Sequence, residues 1–250
     1  MPEGVGAIRM LNDAAMPGVA NMARDEALLI AIGRGGSRAT LRLYEWDPPT
    51  ISLGYFQPFA DYEALAKPAG ALSVVRRTTG GGAILHDREL TYSIVVPAGH
   101  PMVSGRPMGL YRVVHEAIIA CLRQSGAAAE FCSFTDDSGP RRGPFFCFAR
   151  RHGTDVLVGN DKLAGSAQRR TREAVLQHGS IVVERRFVQQ PSATAGTSGW
   201  TVAALREALP VAIGELIGTR FEWGEWSKEE LSLTAELEEK YGSDAWTRRA

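Results

Sequence analysis

Apolar positions along this 250-residue chain recur with two periods, which separates helical from extended segments. Asn21 to Arg34 predicts a helix. Asn21 stands where a cap would accept from the first-turn N–H groups, Asp25 and Glu26 suit the positive end of the dipole, and Gly35-Gly36 stop it. Met108 to Gln124 is the clearest helix, because Leu110, Val113, Val114, Ala117, Ile118, Cys121 and Leu122 fall on one stripe. Thr201 to Ile217 predicts a helix interrupted by Pro210. Ser227 to Tyr241 predicts another, with Ser227 and Glu230 as a capping box.

Between these lie short runs of strand character: Thr40 to Trp46, Ile51 to Gly54, Ala71 to Arg77, Thr154 to Val158, Lys162 to Gln168, Ala174 to Gln177 and Ser180 to Glu184. Glu89 to Val96 sets Leu90, Tyr92, Ile94 and Val96 against Glu89, Thr91 and Ser93, which predicts a half-buried strand. Gln177-His178-Gly179-Ser180 predicts a turn between two strands. Residues 133–153 have no periodicity and predict a long loop, a kind of segment that is often functional. The expected fold class is α+β, with mixed, largely antiparallel sheets and helices packed on them.

Composition narrows the function classes. Hydrophobic residues are 44% and charged residues 22%, and 28 basic residues balance 28 acidic ones. That excludes a disordered chain and a highly basic nucleic-acid binder. No apolar run reaches the roughly 18 residues of a membrane span. The first residues lack a basic and apolar leader, and three cysteines do not make a disulfide framework, so a cytoplasmic location is expected. The balanced charge is unevenly spread. Residues 141–172 hold eight basic and two acidic side chains, a net of +6, and residues 215–244 hold three basic and nine acidic, a net of −6. Such asymmetry can mark a partner surface.

Three segments carry candidate chemistry. Arg76-Arg77-Thr78-Thr79 leads into Gly80-Gly81-Gly82, and His86 follows. Successive glycines cost conformational entropy and let backbone N–H groups approach a ligand, while the arginines could hold a carboxylate or phosphate. Neither a Walker loop nor a dinucleotide fingerprint is present. In the second segment Lys162 precedes the small residues Gly165-Ser166-Ala167 and then Gln168, leaving room for an extended ligand beside a charge able to support a developing anion. In the third, Cys147 sits in the long basic loop beside Arg150, Arg151 and His152, while Cys121 and Cys132 predict core positions. No zinc motif or carboxylate cluster is present, so no metal site is expected.

These segments, in this order, resemble the lipoate–protein ligase A and octanoyltransferase family, whose catalytic fold is shared with biotin–protein ligases. Asn21 to Leu29 resembles the family's first helix, Leu43 to Gln57 its second block, Arg76 to His86 its arginine–glycine loop, and Lys162 to Gln168 the strand with its essential lysine. The resemblance covers about residues 20–190, with a helical part at about 200–250, and the whole of 1–250 is expected to form one catalytic domain.

The resemblance implies that Arg76, Arg77, Thr79, Gly80, Gly81, Gly82, His86, Gly165, Ser166, Ala167 and Gln168 bind the acyl group, and that Cys147 and Lys162 are catalytic. Cys147-Phe148 stands shortly before the lysine strand, where cysteine-dependent octanoyltransferases related to ligase A carry their nucleophile. Leu85 to Ser93 resembles the transferase branch too, whereas unbroken Gly80-Gly81-Gly82 looks more like the ligases. The implied reaction moves octanoate from acyl carrier protein, through a cysteine thioester, to a lysine of a lipoyl domain (glycine-cleavage H protein or dehydrogenase E2), with no cofactor. The alternative is an ATP- and Mg²⁺-dependent lipoate ligase, aided by a separate accessory protein.

Overall fold

The computed structural model describes residues 6–103, 108–135 and 143–249. Its strands are β1 (Ile8–Asn12), β2 (Thr40–Tyr44), β3 (Thr50–Leu53), β4 (Ser73–Arg76), β5 (Ile84–His86), β6 (Glu89–Pro97), β7 (Ala129–Phe131), β8 (Val156–Val158), β9 (Asp161–Arg170), β10 (Ala174–Val182) and β11 (Phe221–Trp223). The helices are α1 (Gly18–Gly33), α2 (Phe59–Glu63), α3 (Gly109–Gln124), α4 (Val202–Ile217), α5 (Lys228–Gly242) and α6 (Asp244–Thr247).

Eight strands form one sheet in the order β11-β1-β2-β6-β10-β9-β8-β7, and β4-β3-β5 form a second. β1 runs parallel to β2 and β11, and β3 parallel to β4; the remaining pairs are antiparallel. The expected α+β class with mixed, largely antiparallel sheets is therefore the observed one. The two short parallel strands β1 and β11 escape the sequence pattern. They join segments more than 200 residues apart, so the helical C-terminal part is knitted into the main sheet.

Alternation along β6 divides the core. Leu90, Tyr92, Ile94 and Val96 face a large cluster with Val114, Ile118 and Leu122 of α3 and Leu205 and Leu209 of α4. Val95 faces the other side, with Leu28, Leu29 and Ile32 of α1. The expected half-buried pattern of Glu89 to Val96 is thereby corrected: both faces are covered, and Glu89, Thr91 and Ser93 are buried too.

The polar face beneath α1 is organised by Arg42 of β2, which is fully buried. Its guanidinium donates to Asp13 at 2.6 Å, Asp25 at 2.8 Å and the Asn21 side-chain oxygen at 2.6 Å. Its planar group also lies 3.8 Å from the Tyr44 ring centre. Asn21 and Asp25 are thus not the cap and dipole partner that their sequence position suggests. α1 begins three residues earlier, after Pro17, and both side chains point into the buried network. Similarly, Gln177 to Ser180 is no turn but the middle of β10, paired on both sides with β6 and β9. Pro210 lies inside a continuous α4. The capping box of Ser227 and Glu230 is present, and Glu230 also takes a buried ion pair with Arg9 of β1.

Burial pushes the Asp25 and Asp13 carboxyls up, but His178 and Arg42 for Asp25, and Arg42 and Arg24 for Asp13, outweigh it and hold both below the usual 3.8. Their contribution to stability is therefore present above the unfolded-state value and is lost as pH falls through the lower folded value. Replacing Arg42 by Met takes from Asp13 and Asp25 their shared buried cation, leaving Arg24 and His178 beside them, and should lower the unfolding free energy at pH 7 by about 3 kcal/mol in urea titrations. The deficit should shrink as pH falls through the range where the folded variant's two carboxyls take up protons, because a neutral acid no longer needs the cation.

Candidate active site

Cys147 opens a single 3₁₀ turn, Cys147–Ala149, between the long loop and β8. Backbone pairing fixes the turn to the start of β5: Cys147 N donates to Ala83 O at 2.7 Å and Ala83 N to Phe145 O at 2.9 Å. Phe148, next in sequence, is fully buried against Ile84 and Val182 and anchors the turn from below. The Cys147 side chain is left partly exposed, whereas Cys121 and Cys132 are buried, as their sequence positions predict.

Lys162 is the second residue of β9, and its side chain is only 3% exposed. Its ammonium lies 3.5 Å from Cys147 Sγ and 2.8 Å from Asp155 Oδ2. Burial pulls the lysine pKa down, but the Cys147 sulfur and the Asp155 carboxylate outweigh it and hold the pKa above 10.5, so the group stays charged. Asp155 is itself held by the backbone N–H of His152, which donates to Oδ2 at 2.8 Å. The lysine reaches this position because Gly165 has no side chain. A Cβ there would stand 2.3 Å from Lys162 Cε and 2.6 Å from Nζ.

The other expected residues divide into those beside this pair and those behind it. Gly82 abuts Cys147, since a Cβ on Gly82 would lie 3.0 Å from Cys147 N. Ser166 bonds Tyr92 and, at 2.6 Å, His115 Nε2. His115 Nδ1 faces the Thr154 carbonyl, so it donates there, and the Ser166 hydroxyl donates to Nε2. Burial pulls His115 down to about 4, which keeps it neutral for that role. Ala167 lines a narrow slot with Met22, Trp46, Ile84, His178 and Gly179, whose free volume of about 20 Å³ is close to that of a single water. Gln168 bonds Gln177 at 2.8 Å rather than any catalytic group.

The arginine–glycine loop departs from its expected use. Arg76 is fully buried and spends its guanidinium on the carbonyls of Gly54, Tyr55, Gln57, Thr247 and Arg249, tying the end of the chain to the loop after β3. It is therefore a brace and not an anion ligand. Arg77, at 2% exposure, bonds Ser52, Thr79, Gly80 and Gly82. Thr79 Oγ1 also meets His178 Nε2 at 2.7 Å, and His178 Nδ1 meets Asp25 at 2.9 Å. His86 stacks on Trp46 with ring centres 3.8 Å apart, bonds Glu89 and Ser52, and is turned into the protein. Burial pulls its pKa down despite Glu89.

The basic neighbours of Cys147 also differ in role from their sequence reading. Arg150 donates to the carbonyl of Pro144, and Arg151 to those of Phe148 and Asn160, so both shape the loop. Arg141 and Arg142 lie outside the described residues. Asp155, His115, Tyr92 and the Asp25–His178 pair were missed as site residues in the sequence. Only Asp155 left a signal, as one of two acids opposing the +6 segment. No group of three or more His, Cys, Asp or Glu side chains able to hold a metal occurs among the described residues, and no described helix is long and apolar enough to cross a membrane. The largest groove, between β1, α4 and β11, contains none of the site residues named above.

A mixed sheet carrying a glycine loop, a buried lysine and an adjacent cysteine defines an acyl-transferring enzyme of the lipoate and biotin ligase fold. The family model of the lipoyl protein ligase A/B catalytic domain matches residues 17–194, and the chain belongs to that family. It is 38% identical to an octanoyltransferase LipM of Kyrpidia tusciae over 96% of this chain and 98% of that one. It is 35% identical to an octanoyltransferase LipM of Moorella thermoacetica over 96% and 97%. A crystal structure of lipoate-protein ligase A bound with ATP superposes with a TM-score of 0.79 at 25% identity, covering 97% of this chain and 98% of that one.

Because the atoms that a Gly165 side chain would displace are the far end of a flexible lysine, Gly165→Ala should move Lys162 and spare the fold. Acyl transfer should fall by roughly 100-fold, the scale expected when a catalytic group is misplaced by about 1 Å. Thermal unfolding should stay close to wild type, and a calorimetric scan beside the activity assay checks both.

Proposed function

We propose that the protein is an octanoyltransferase that carries its acyl group on Cys147, taking it from acyl carrier protein and passing it to a lysine of a lipoyl-carrier domain. The observation that supports this reading is the Lys162 ammonium held 3.5 Å from the Cys147 sulfur. An ion of that charge at that place stabilises a thiolate nucleophile. The relatives named LipM at 30–38% identity over nearly their full length support the octanoyl substrate.

In the first step the Cys147 sulfur attacks the donor thioester carbonyl. A carbon–sulfur bond forms, the carbonyl oxygen takes the displaced electron pair, and the intermediate collapses with loss of the donor's thiolate. Exchange of one thioester for another is nearly thermoneutral, so the step needs no ATP. In the second step the neutral acceptor amine attacks the acyl-enzyme. An amide bond forms, the Cys147 sulfur leaves, and the proton lost by the amine returns the thiol. Amide formation from a thioester is downhill and drives the transfer. The slot walled by Met22, Trp46, Ile84 and Ala167 supplies the apolar lining for the chain, which widens it on entering.

An ATP-dependent ligase is the alternative. It would form a lipoyl adenylate, release pyrophosphate, and leave the Cys147–Lys162 contact without a task. The cytoplasmic location, the absence of a cofactor and the choice between H protein and E2 as acceptor belong to the same proposal. Acyl carrier protein is acidic, and the exposed Arg169 and Arg172 offer it a basic approach.

Intact-protein mass spectrometry after mixing with octanoyl acyl carrier protein tests the covalent step. Wild type should gain one octanoyl group without ATP, and Cys147→Ala should gain none and transfer none. Full transfer by Cys147→Ala, or pyrophosphate release that ignores Cys147, sinks the proposal. Raising salt should slow acyl-enzyme formation, because steering between exposed charges is screened. Charge reversal at Arg169 and Arg172 should do the same at low salt, and stopped-flow rates at two ionic strengths read both effects.

A further inference from the structure

Lys162 leaves a gap in the chemistry. Two of the three N–H donors of its ammonium face the Cys147 sulfur and the Asp155 carboxylate, so the oxygen that becomes negative during attack calls for further donors. The backbone beside Cys147 supplies candidates. Gly82 touches the nucleophile residue, since a Cβ on it would meet Cys147 N at 3.0 Å and Cα at 3.1 Å.

The peptide planes of this loop are set from one side. Arg77 Nη2 donates to the carbonyls of both Gly80 and Gly82 at 2.7 Å. In a trans peptide the N–H points opposite to the carbonyl, so the N–H groups of Gly81 and Ala83 are turned away from Arg77. Ala83 N–H goes to Phe145 O. The Gly81 carbonyl faces Gly54, where a Cβ would lie only 1.9 Å from it, so the Gly82 N–H is turned away from Gly54. Among the described residues, the N–H groups of Gly81 and Gly82 donate to no protein acceptor. Gly81 has φ +94°, which only glycine adopts without strain.

Arg77 is in turn fixed at its other donors. Nη1 meets Ser52 O at 2.9 Å, and Nε meets Thr79 Oγ1 at 3.1 Å. Thr79 is held by His178 and, through it, by Asp25. A chain of buried polar contacts thus runs from α1 to the glycine carbonyls, and every donor of this arginine points at protein rather than at a ligand.

We propose that the N–H groups of Gly81 and Gly82 form the oxyanion site for the tetrahedral intermediates on Cys147, and that Arg77 is the positioning residue that orients them. This inference rests on the covalent reading above. In both steps the carbonyl oxygen gains an electron pair as the new bond to carbon forms. Two fixed N–H donors receive that charge and release it when the leaving sulfur departs. A carboxylate or phosphate is not needed to explain why an arginine precedes three glycines here.

The test separates the nucleophile from the oxyanion site. Alkylation of Cys147 by iodoacetamide needs a thiolate but creates no oxyanion, whereas acylation by octanoyl acyl carrier protein needs both. Arg77→Lys keeps the charge but offers three donors in place of a planar fork. Its acylation rate should fall by roughly 100-fold in the rate constant at saturating donor, with little change in the half-saturating donor concentration. The plateau rate of alkylation at high pH should stay within about twofold of wild type, because no oxyanion develops in that reaction. Thr79→Val should lower acylation by about tenfold through loss of one anchoring hydrogen bond, and Thr79→Ser should restore it. This pair keeps the test open if Arg77→Lys does not fold. Acylation of either Arg77→Lys or Thr79→Val at the wild-type rate overturns the assignment. So does a fall in the alkylation plateau equal to the fall in acylation, which would place the effect on the sulfur. Failure of wild-type protein to acylate at all, with alkylation intact, would instead remove the covalent reading, and this assignment with it.

Discussion

The ammonium of Lys162, buried between a sulfur and a carboxylate, constrains the design around it. Taking such a charge out of water costs several kcal/mol, and only close partners of opposite sign offset the cost. Asp155 supplies that partner at 2.8 Å, and its own placement needs the His152 backbone and the turn before β8. The lysine also needs a missing side chain at Gly165, three residues along its own strand. Cys147 must then be brought to the same point from a loop with no repeating pattern, which the pairing of Ala83 with Phe145 and Cys147 achieves. Asp155 alone offsets the buried charge, while Gly165 and the Cys147 turn decide what that charge faces.

The same logic separates the arginines. Arg42, Arg76 and Arg77 are all buried, yet none is aimed at a ligand-sized charge. Arg42 neutralises two carboxylates beneath α1, and the other two satisfy carbonyl groups of loops that have no ladder partners. An unpaired buried carbonyl is costly, and a guanidinium with five donors in one plane can satisfy several at once. Buried arginine here is the means by which irregular backbone, including the glycine loop beside Cys147, is kept in one conformation.

These roles explain what could be read from the sequence. Helices α3 and α5 and strands β6 and β9 were legible, because a 3.6-residue stripe, a capping box and an alternating run each reflect one local cause. Cys147, Lys162 and the glycine loop were legible through the order of their motifs. Asn21 and Asp25 were misplaced because a local rule, capping, lost to a tertiary one, the pairing with Arg42. Gln177 to Ser180 looked like a turn because buried polar residues in a central strand imitate loop composition. Gly179 sits there opposite Ser166, with no room for a side chain. Asp155 and His115 left little trace, since each gains its role only from strands and helices brought together across the fold.

The even balance of charge also changes meaning once positions are known. The −6 stretch of residues 215–244 is not an isolated acidic face. Glu230 pairs with Arg9, Glu222 with Arg38, and Glu229 stands 4.0 Å from Arg34, so three of its nine acids meet bases from the first 40 residues. The +6 stretch divides differently. Lys162 and both of its opposing acids are used within the segment, because Asp155 holds Lys162 and Asp161 stands 3.9 Å from Arg151. Arg150 and Arg151 shape the loop that carries Cys147. Among the described residues of the segment, what remains outward is the short basic stretch at the end of β9 and just beyond it, with Arg169 and Arg172 exposed. Net charge summed along a segment therefore overstates the field a partner would meet. That field is set by the charges that folding leaves exposed, and among the described residues of this segment Arg169 stands on the same strand as Lys162, with Arg172 just beyond it.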